Sequence, residues 1–387
     1  MSYIDKQRHL VEQFRASQGA VGLNKTTSNL FRKRQEEAKQ RLDVRSLNEV
    51  IEVDTIDQTI TVEGMTTFED LTDAALRHGM MPLVVPELKT ITIGGGVSGM
   101  AIESSSFRDG LVHESVLEME ILTGKGEVVT ATPTNEHKDL FFGLPNSYGT
   151  LGYVLRLKIK ARQVKPFVHL EHLKFTGAHE YFAKIKAIAD SGKYRGKKIS
   201  FLDGTVFSKD ELYITVGIEV DTAPYTSDYI HMKQYYRSIK ERSEDYLTIY
   251  DYIWRWDTDW FWCSKNVFAD KTLVRRLLGR KRLGSRTYSG LMKFENRYGF
   301  VERLKKLTGT YKLVEDVIQD IEVPIDKAED FLKAFQAEIG ISPVWVCPTI
   351  TPKGAWPYPL YPMKSDTLYI NFGFWDLVPA HGDPKDA

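Results

Sequence analysis

A glycine- and serine-rich segment constrains the fold of this chain more than any other feature. It reads TIGGGVSGMAIESSS, residues 92–106, and its glycines follow KTITI, residues 89–93, an apolar run that predicts a strand. Glycines admit positive φ and let the backbone approach a ligand closely, because no Cβ intervenes. Successive N–H groups in such a loop bind anions, and serine hydroxyls add donors. The segment predicts a loop around cofactor phosphates, and a tight turn packed under a sheet is the structural alternative.

The same glycines also match the dinucleotide-binding pattern G-x-G-x-x-G, at Gly94, Gly96 and Gly99. That site requires a helix that opens at the third glycine and an acidic residue about 20 positions later, within a βαβ unit. The following MAIESSSFRDG has three serines, an Asp-Gly turn and no helical apolar period. We therefore interpret the match as accidental.

Composition indicates a globular, cytoplasmic protein. A chain of 387 residues predicts two domains. Lys plus Arg and Asp plus Glu both number 52, so no overall field attracts nucleic acid. Cys263 and Cys347 lack metal-ligand spacing and favour a reducing compartment without a metal site. The N-terminus lacks the apolar core of a secretory signal, and no run is long enough to predict a membrane span.

Apolar periodicity predicts an α+β fold on both sides of a boundary near residue 165. An N-terminal helix is expected within residues 1–18, a cofactor-binding domain over 19–165 and a substrate domain over 166–387. Thr66 and Glu69 fit a capping box for a helix that ends at Gly79. The segments EVIEVDTIDQTITVEG, SVLEMEILTGKGEVVTATP, YVLRLKIKARQV, HLEHLKF and ELYITVGIEV predict strands, and EYFAKIKAIADSG and KAEDFLKAFQAEIG predict helices.

The glycine-rich segment belongs to a longer pattern. It comprises LVVPELKTITIGGGVSGMAIESSSFRDGL, DLFFGLPNSYGTLGYVLRLKI and VIQDIEVP. Together these segments resemble the vanillyl-alcohol-oxidase type of FAD-linked oxidase, and within it most closely the delta-24-sterol reductases and bacterial reductases of methylene-branched fatty acyl chains. The resemblance implies a PCMH-type FAD-binding domain of two subdomains, followed by an α+β substrate domain with an antiparallel sheet. It also implies that the helical segment which usually closes the C-terminus is lacking.

The resemblance further implies where FAD binds and that its attachment is non-covalent. Residues 92–106 would wrap the pyrophosphate and ribityl chain, the 149–152 turn would lie against the flavin, and LNKTTSNLFRKR would form the first phosphate loop. His and Cys, which tether the flavin in many members, are absent from both loops, and His113 is the nearest. NADPH is the implied electron donor. The predicted cofactor-binding residues are Thr92, Ile93, Gly94, Gly95, Gly96, Ser98, Gly99, Ser104, Ser105, Ser106, Gly149, Thr150, Gly152, Lys25, Thr27, Ser28 and Asn29.

Three residues are candidates for the chemistry. Reducing a C=C bond needs a hydride from reduced flavin and a proton from a general acid. Glu103 is the acid closest in sequence to the predicted flavin contact, and a surface or capping carboxylate is its alternative role. Gln319 and Asp320 interrupt an apolar strand, as pocket residues or as the solvent side of that strand.

An aromatic segment and a basic segment leave two interpretations each. DYLTIYDYIWRWDTDWFWCSK, with Asp251, Asp257 and Asp259 among its rings, favours core packing over a channel for an apolar substrate. LVRRLLGRKRLGSR is typical of a solvated helix face, and its alternative is a peripheral contact with anionic lipid.

The first functional hypothesis is an FAD-dependent reductase of a C=C bond in a small-molecule lipid. The second is an alcohol or sugar oxidase or dehydrogenase on the same fold. The third is a flavin-binding protein that has lost activity or serves as a partner subunit. No nucleic-acid partner is expected, and the oligomeric state stays open.

Overall fold

The computed structural model describes residues 1–25, 40–229, 233–260, 262, 270–279, 282–287, 290, 299, 303, 314–352 and 358–379. Within them the chain has the predicted α+β fold, built mainly on two antiparallel sheets. No helix in these ranges is long and apolar enough to cross a lipid bilayer.

The first half of the chain forms the smaller of the two sheets. Its helices are α1 (Tyr3–Ala16), α2 (Phe68–Leu76), α3 (Ile93–Ser98), α4 (Ser106–Asp109) and α5 (Lys138–Gly143). Its strands are β1 (Val21–Asn24), β2 (Gln40–Asp43), β3 (Val50–Asp54), β4 (Thr59–Glu63), β5 (Met80–Pro82), β6 (Val116–Leu122), β7 (Val128–Ala131) and β8 (Tyr153–Gln163). The strand order is β3-β4-β8-β6-β7, with β5 also paired to β8, while β1 and β2 form a parallel pair.

Strand β8 shows why this sequence makes a half-buried strand. Leu157 and Ile159 point into the core, whereas Lys158 and Lys160 between and after them point outward. The period of two matches the alternation of side chains along a strand. The predicted strand is therefore confirmed, as are the hairpins formed by β3 with β4 and by β6 with β7.

The second half forms a seven-stranded sheet in the order β14-β9-β13-β12-β16-β17-β15. Its strands are β9 (Phe167–Phe175), β12 (Phe201–Ser208), β13 (Glu211–Val220), β14 (Glu244–Thr248), β15 (Val314–Pro324), β16 (Val344–Thr349) and β17 (Tyr369–Pro379), with a short hairpin of β10 (Lys193–Tyr194) and β11 (Lys197–Lys198) outside it. The helices are α6 (Ala178–Ser191), α7 (Tyr235–Glu241), α8 (Ile249–Ile253), α9 (Thr272–Leu278) and α10 (Ala328–Glu338).

The two faces of the seven-stranded sheet have different neighbours. Its outer face carries apolar residues that pack against α6 and α10. Its inner face, which we define by Asp203, Cys347 and Asn371, lies against the first half of the chain. The Cys347 thiol donates to the Glu103 carbonyl over 3.2 Å, and the Leu202 N–H donates to the Ser104 carbonyl over 2.8 Å. The inner face and the segment that follows the glycines are therefore in direct contact.

Two local predictions are wrong by small amounts. The KTITI run forms no strand, because Thr92 is the N-cap of α3. The capping residue of α2 is Thr67 rather than Thr66, since the Thr67 hydroxyl accepts the Asp70 N–H over 3.1 Å. Glu69 instead forms an ion pair with Lys89 at 3.2 Å. The cap pattern occurs one residue later than the sequence suggests.

Candidate functional site

The glycine-rich segment forms a short helix packed against the first sheet. A Cβ on Gly94 would stand 2.7 Å from the Gly64 carbonyl oxygen, and one on Gly96 would stand 2.9 Å from the Phe68 ring. Gly94 and Gly96 are buried and Gly95 is exposed. The glycines therefore serve two purposes, since two allow close packing and one presents bare backbone at the surface.

The expected anion nest with positive φ is not present in α3. Gly94, Gly95 and Gly96 are helical, and Gly99 has a φ of −107°. Met100 is the residue in the segment that adopts the left-handed region, with a φ of 61°. The prediction of left-handed glycines is wrong because tight helix packing, rather than turn geometry, requires them here.

The 146–152 turn lies beside the end of α3. The Tyr148 N–H donates to the Ser98 carbonyl over 3.3 Å, and the Ser98 hydroxyl donates to the Gly94 carbonyl over 2.9 Å. Gly149 has a φ of 82°, where glycine is favoured. A Cβ on Gly152 would stand 2.7 Å from the Leu122 carbonyl oxygen. The structure thus brings the predicted residues of α3 and of this turn onto one surface.

That surface has an apolar, exposed rim. Tyr148 is 72% exposed and Leu151 is 43% exposed, although both are large hydrophobic residues. Thr150, another predicted cofactor residue, is also exposed.

The remaining predicted cofactor residues lie elsewhere. Ile93 is buried in the core. The hydroxyls of the three serines bind protein partners: Ser104 pairs with the Tyr252 hydroxyl at 2.8 Å, Ser105 donates to the Leu83 carbonyl, and Ser106 accepts the Glu103 N–H. Lys25 is exposed after β1, while Thr27, Ser28 and Asn29 lie outside the described residues. Their assignment as FAD ligands stays a prediction.

Glu103 belongs to a buried ionic cluster that joins the two halves of the chain. Its Oε1 lies 3.2 Å from Arg255 Nη2, and the same nitrogen lies 3.0 Å from Asp203 Oδ2. Arg255 Nη1 pairs with Glu87 and donates to the Tyr252 carbonyl over 3.0 Å. The guanidinium also stacks 4.1 Å from the centroid of the Tyr252 ring. We call Glu87, Glu103, Asp203 and Arg255 the Arg255 cluster.

The Arg255 cluster contains more acid than base. Arg255 and Glu87 have side chains that are 0% and 1% exposed, and Asp203 and Glu103 are nearly as buried. Burial raises the pKa of each of the three carboxyls, although Arg255 acts in the opposite direction. The sequence did not indicate this cluster, because its members come from four separate segments and Arg255 stands inside an aromatic run.

A small cavity lies between the first half and the loop after β16. It is lined by His113, Glu114, Thr351, Tyr358, Tyr361 and Met363. The His113 ring meets the Tyr358 ring edge-on at 4.3 Å, and burial lowers the His113 pKa to about 3. Its Nδ1 has no hydrogen-bond partner among the described residues. Burial raises the pKa of Glu114 to about 7, although its carboxylate accepts the Leu111 N–H.

Asp320 lies on the inner face, next to this cavity. It pairs in register with Gly373 of β17, and a Cβ on Gly373 would stand 2.9 Å from Asp320 Oδ1. The same position would lie 2.8 Å from the Trp375 ring and 3.3 Å from the Trp345 ring. The glycine therefore makes room for a carboxyl bordered by two tryptophans.

The Asp320 carboxyl is reached by water but mostly surrounded by protein. Its residue surface is exposed, yet burial raises its pKa to about 7, and the charge of Glu322 adds to the rise. A carboxyl on the edge strand β15, bordered on its inner side by Trp345 and Trp375, meets both conditions. Such a carboxyl retains its proton near neutral pH.

Glu322 of β15 and Asn371 of β17 form the next cross-strand pair on the inner face. Asn371 is fully buried, and its Nδ2 donates to Glu322 Oε1 over 3.0 Å. Its Oδ1 has no partner in the described part of the chain. Tyr361 lines the cavity. Burial raises its pKa, and so do the negative charges of Glu322 and Asp320, so Tyr361 also lies close to these two carboxyls.

Gln319 does not belong to this site. It follows Ile318 on β15 and pairs with Phe374, whose side chain packs on the outer face. Successive residues of a strand point to opposite faces, so Gln319 and Asp320 cannot share one pocket. The prediction that grouped them is corrected for Gln319.

The aromatic segment is core, as its favoured interpretation stated. Trp254, Trp256 and Trp262 are fully buried. The acids among them have partners, since Asp257 accepts the Lys89 N–H over 3.0 Å and Asp259 pairs with Arg275 at 2.5 Å. Arg275 is buried, so the basic segment is not a uniformly solvated face.

Comparison with known protein families matches residues 9–132 to the family described as FAD binding domain. The chain contains an FAD-binding domain. This match runs from within α1 to the end of β7 and includes α3, so the resemblance drawn from the glycine-rich segment is confirmed.

Comparison with curated proteins finds similarity to sterol reductases over most of the chain. It is 28% identical to the Delta(24)-sterol reductase of Homo sapiens over 88% of its own length, and 27% identical to that of Arabidopsis thaliana over 89%. It spans 64% and 61% of the lengths of these two proteins. Cytokinin dehydrogenase 10 of Oryza sativa subsp. japonica is 26% identical over 45% of the chain.

The FAD-binding domain has features that fit this cofactor. Exposed backbone at Gly95 and Gly99 offers close approach without a Cβ, and the neighbouring turn adds Gly149 and Thr150. Two buried polar atoms, Nδ1 of His113 at the cavity and Oδ1 of Asn371 on the inner face, lack partners among the described residues. Buried polar groups normally find a partner, so a bound group with donors and acceptors suits this space.

Proposed function

We propose that the chain is an FAD-dependent oxidoreductase that reduces a C=C bond of a lipid, with NADPH as electron donor. A sterol with a delta-24 double bond and a methylene-branched fatty acyl chain are the candidate substrates. Similarity to Delta(24)-sterol reductases over most of the chain supports the reaction class.

Asp320 is the observation that carries the proposal. Reduction of an unactivated C=C bond requires a proton donor opposite the hydride. A carboxyl with a pKa of about 7 holds that proton near neutral pH, whereas an ordinary aspartate does not. Its place on the inner face, opposite the FAD-binding half, is where a substrate between the two halves would meet it.

The residues around Asp320 have distinct tasks in this proposal. Bound FAD supplies the hydride chemistry. Trp345 and Trp375 wall the carboxyl with apolar surface, and the Trp345 indole is fixed by donating to Asp203 over 3.2 Å. Glu322 opposes ionisation of Asp320 by its negative charge. Because Asp320 is exposed to solvent, it can regain a proton from water after each transfer.

Aromatic walls suit a lipid better than a sugar. Trp345 and Trp375 border Asp320, and Tyr358, Tyr361 and Met363 line the neighbouring cavity. A sugar site needs many hydrogen-bonding side chains, whereas an apolar chain or ring system needs surface contact and few polar groups.

Glu103 is the weaker candidate for the acid. Its carboxylate contacts Arg255 and is nearly inaccessible to solvent. A proton there has no open route to a substrate among the described residues. We assign Glu103 to the Arg255 cluster, which orders the segment after α3.

The test is an anaerobic absorbance experiment in two steps. We expect NADPH to bleach the flavin band, and a sterol with a delta-24 double bond or a methylene fatty lipid to restore it. Asp320→Asn should bleach normally but slow the restoration by about 10²-fold or more, because the general acid is lost. Equal restoration rates in both proteins would exclude Asp320 as the donor.

A flavin band that ignores NADPH but bleaches with an alcohol would support the second hypothesis, an alcohol or sugar dehydrogenase. The partial similarity to a cytokinin dehydrogenase supports this second hypothesis.

A further inference from the structure

Helix α9 has an inverted distribution of side chains. Leu273 is 70% exposed and Leu277 is 75% exposed, although leucine is normally buried in a globular protein. Arg275, between them in sequence, is only 1% exposed. Residues four apart share one face of a helix, so the two leucines form one apolar ridge that points to solvent.

Buried contacts fix the helix in this orientation. Arg275 Nη1 lies 2.5 Å from Asp259 Oδ1, and its Nη2 donates to the Lys233 carbonyl over 3.2 Å. A buried arginine with these partners is costly to withdraw, because the buried Asp259 carboxylate would lose its ion pair with Arg275. The helix therefore cannot rotate its leucines inward without breaking a buried ion pair.

Cations surround the leucine ridge. Lys271, Arg276 and Arg282 are exposed, and the Arg282 N–H donates to the Gly279 carbonyl at the end of α9. Lys271 lies 3.3 Å from Asp270, whereas Arg276 and Arg282 form no ion pair with the described residues. We call Lys271, Leu273, Arg276, Leu277 and Arg282 the α9 surface.

We propose that the α9 surface seats the protein on an anionic lipid bilayer. Exposed leucines on a short helix insert into the headgroup boundary, and neighbouring Lys and Arg meet lipid phosphates. A protein partner would need matching acids for the cations and a pocket for the leucines, whereas an anionic membrane offers both charge and apolar depth in one surface. The inference is independent of the reductase activity.

Vesicle co-sedimentation tests the proposal with the full chain loaded with FAD. We expect binding to vesicles that contain phosphatidylglycerol, little binding to phosphatidylcholine alone, and weakening by salt. Arg276→Glu with Arg282→Glu should lower the partition coefficient by more than about tenfold, because each cation near an anionic surface contributes severalfold. Leu273→Ser with Leu277→Ser should lower it to a similar extent by removing the inserting groups.

Ile56→Ser is the matched control, since Ile56 is 90% exposed on the turn between β3 and β4. It should bind like the wild type. Flavin absorbance reports that each variant is folded. Binding that is absent, or equal for neutral and anionic vesicles, would overturn the proposal, as would unchanged binding of both double variants. Self-association without lipid that the leucine variant abolishes would instead identify an interface between two copies and also reject it.

Discussion

Four neighbours of three kinds surround the Asp320 carboxyl, whose pKa is raised to about 7. Gly373 leaves the space, the two tryptophans remove water from part of the carboxyl, and Glu322 adds a negative charge. Desolvation and a like charge both favour the neutral acid. A general acid is most effective when its pKa is close to the pH of the reaction, and a pKa of about 7 for Asp320 meets this condition at neutral pH.

A charge-neutral change at Glu322 tests this arrangement. The wild-type rate of flavin restoration by substrate should be high below pH about 7 and fall above it, since only protonated Asp320 donates. Glu322→Gln removes the charge that raises the Asp320 pKa, so the midpoint should move to lower pH. Rapid-mixing kinetics over a pH series would measure it.

Infrared titration of the protonated carboxyl band gives the same midpoint without turnover, which separates this prediction from the proposed reaction. Glu329→Gln is the control, because Glu329 lies on α10 and pairs with Lys333 at 2.6 Å, away from the inner face. Identical midpoints in wild type and Glu322→Gln would contradict the role of Glu322.

At the scale of the element, α3 shows what sequence reasoning can and cannot predict. The glycines pointed correctly to an FAD-binding domain. Their helical conformation was missed, because close packing of Gly94 on Gly64 and of Gly96 on Phe68 depends on partners that lie 30 and 28 residues away. The sequence also could not show which residues of β15 lie on the inner face. Gln319 and Asp320 are adjacent and both polar, so neither is marked as the inward one.

The exposed glycine of α3 separates cofactor contact from packing. Gly95→Leu should keep the fold, because Gly95 is exposed and a Cβ there would crowd only the Thr92 hydroxyl, 2.9 Å away, which can rotate aside. It should reduce bound FAD severalfold, since a side chain would stand between backbone and cofactor. The measure is the ratio of flavin to protein absorbance after purification, with circular dichroism as the fold check.

Gly124→Leu is the control, because a Cβ at Gly124 has no atom within 4 Å. It should retain full flavin. A Gly95→Leu protein with full flavin would remove α3 from the cofactor site.

At the scale of the whole molecule, the two halves are joined by charge as well as by apolar contact. The Arg255 cluster draws Glu87 and Glu103 from the first half and Asp203 from the second, across separations of 152 and 52 residues for the direct bonds to Glu103 and Asp203. Elements with local periodicity were predictable from the sequence, but a cluster assembled from such distant positions was not. Because the cluster holds three carboxyls and one guanidinium, its contribution to the stability of the junction should depend on pH.

Arg255→Met should destabilise the protein by about 3–5 kcal/mol, because three buried carboxyls lose their cation. The sign of the pH dependence follows from the raised pKa values of Glu87, Glu103 and Asp203. The folded state of the variant must bind more protons than the unfolded state between the ordinary and the raised pKa, so its stability should fall as pH rises through that window. Urea unfolding at mildly acidic and mildly alkaline pH should therefore show a larger loss of stability at the alkaline value.

Arg45→Met is the control. It removes an exposed ion pair with Asp43 and should cost at most about 1 kcal/mol at either pH. An Arg255→Met protein as stable as this control would mean that the junction is held by its apolar contacts alone.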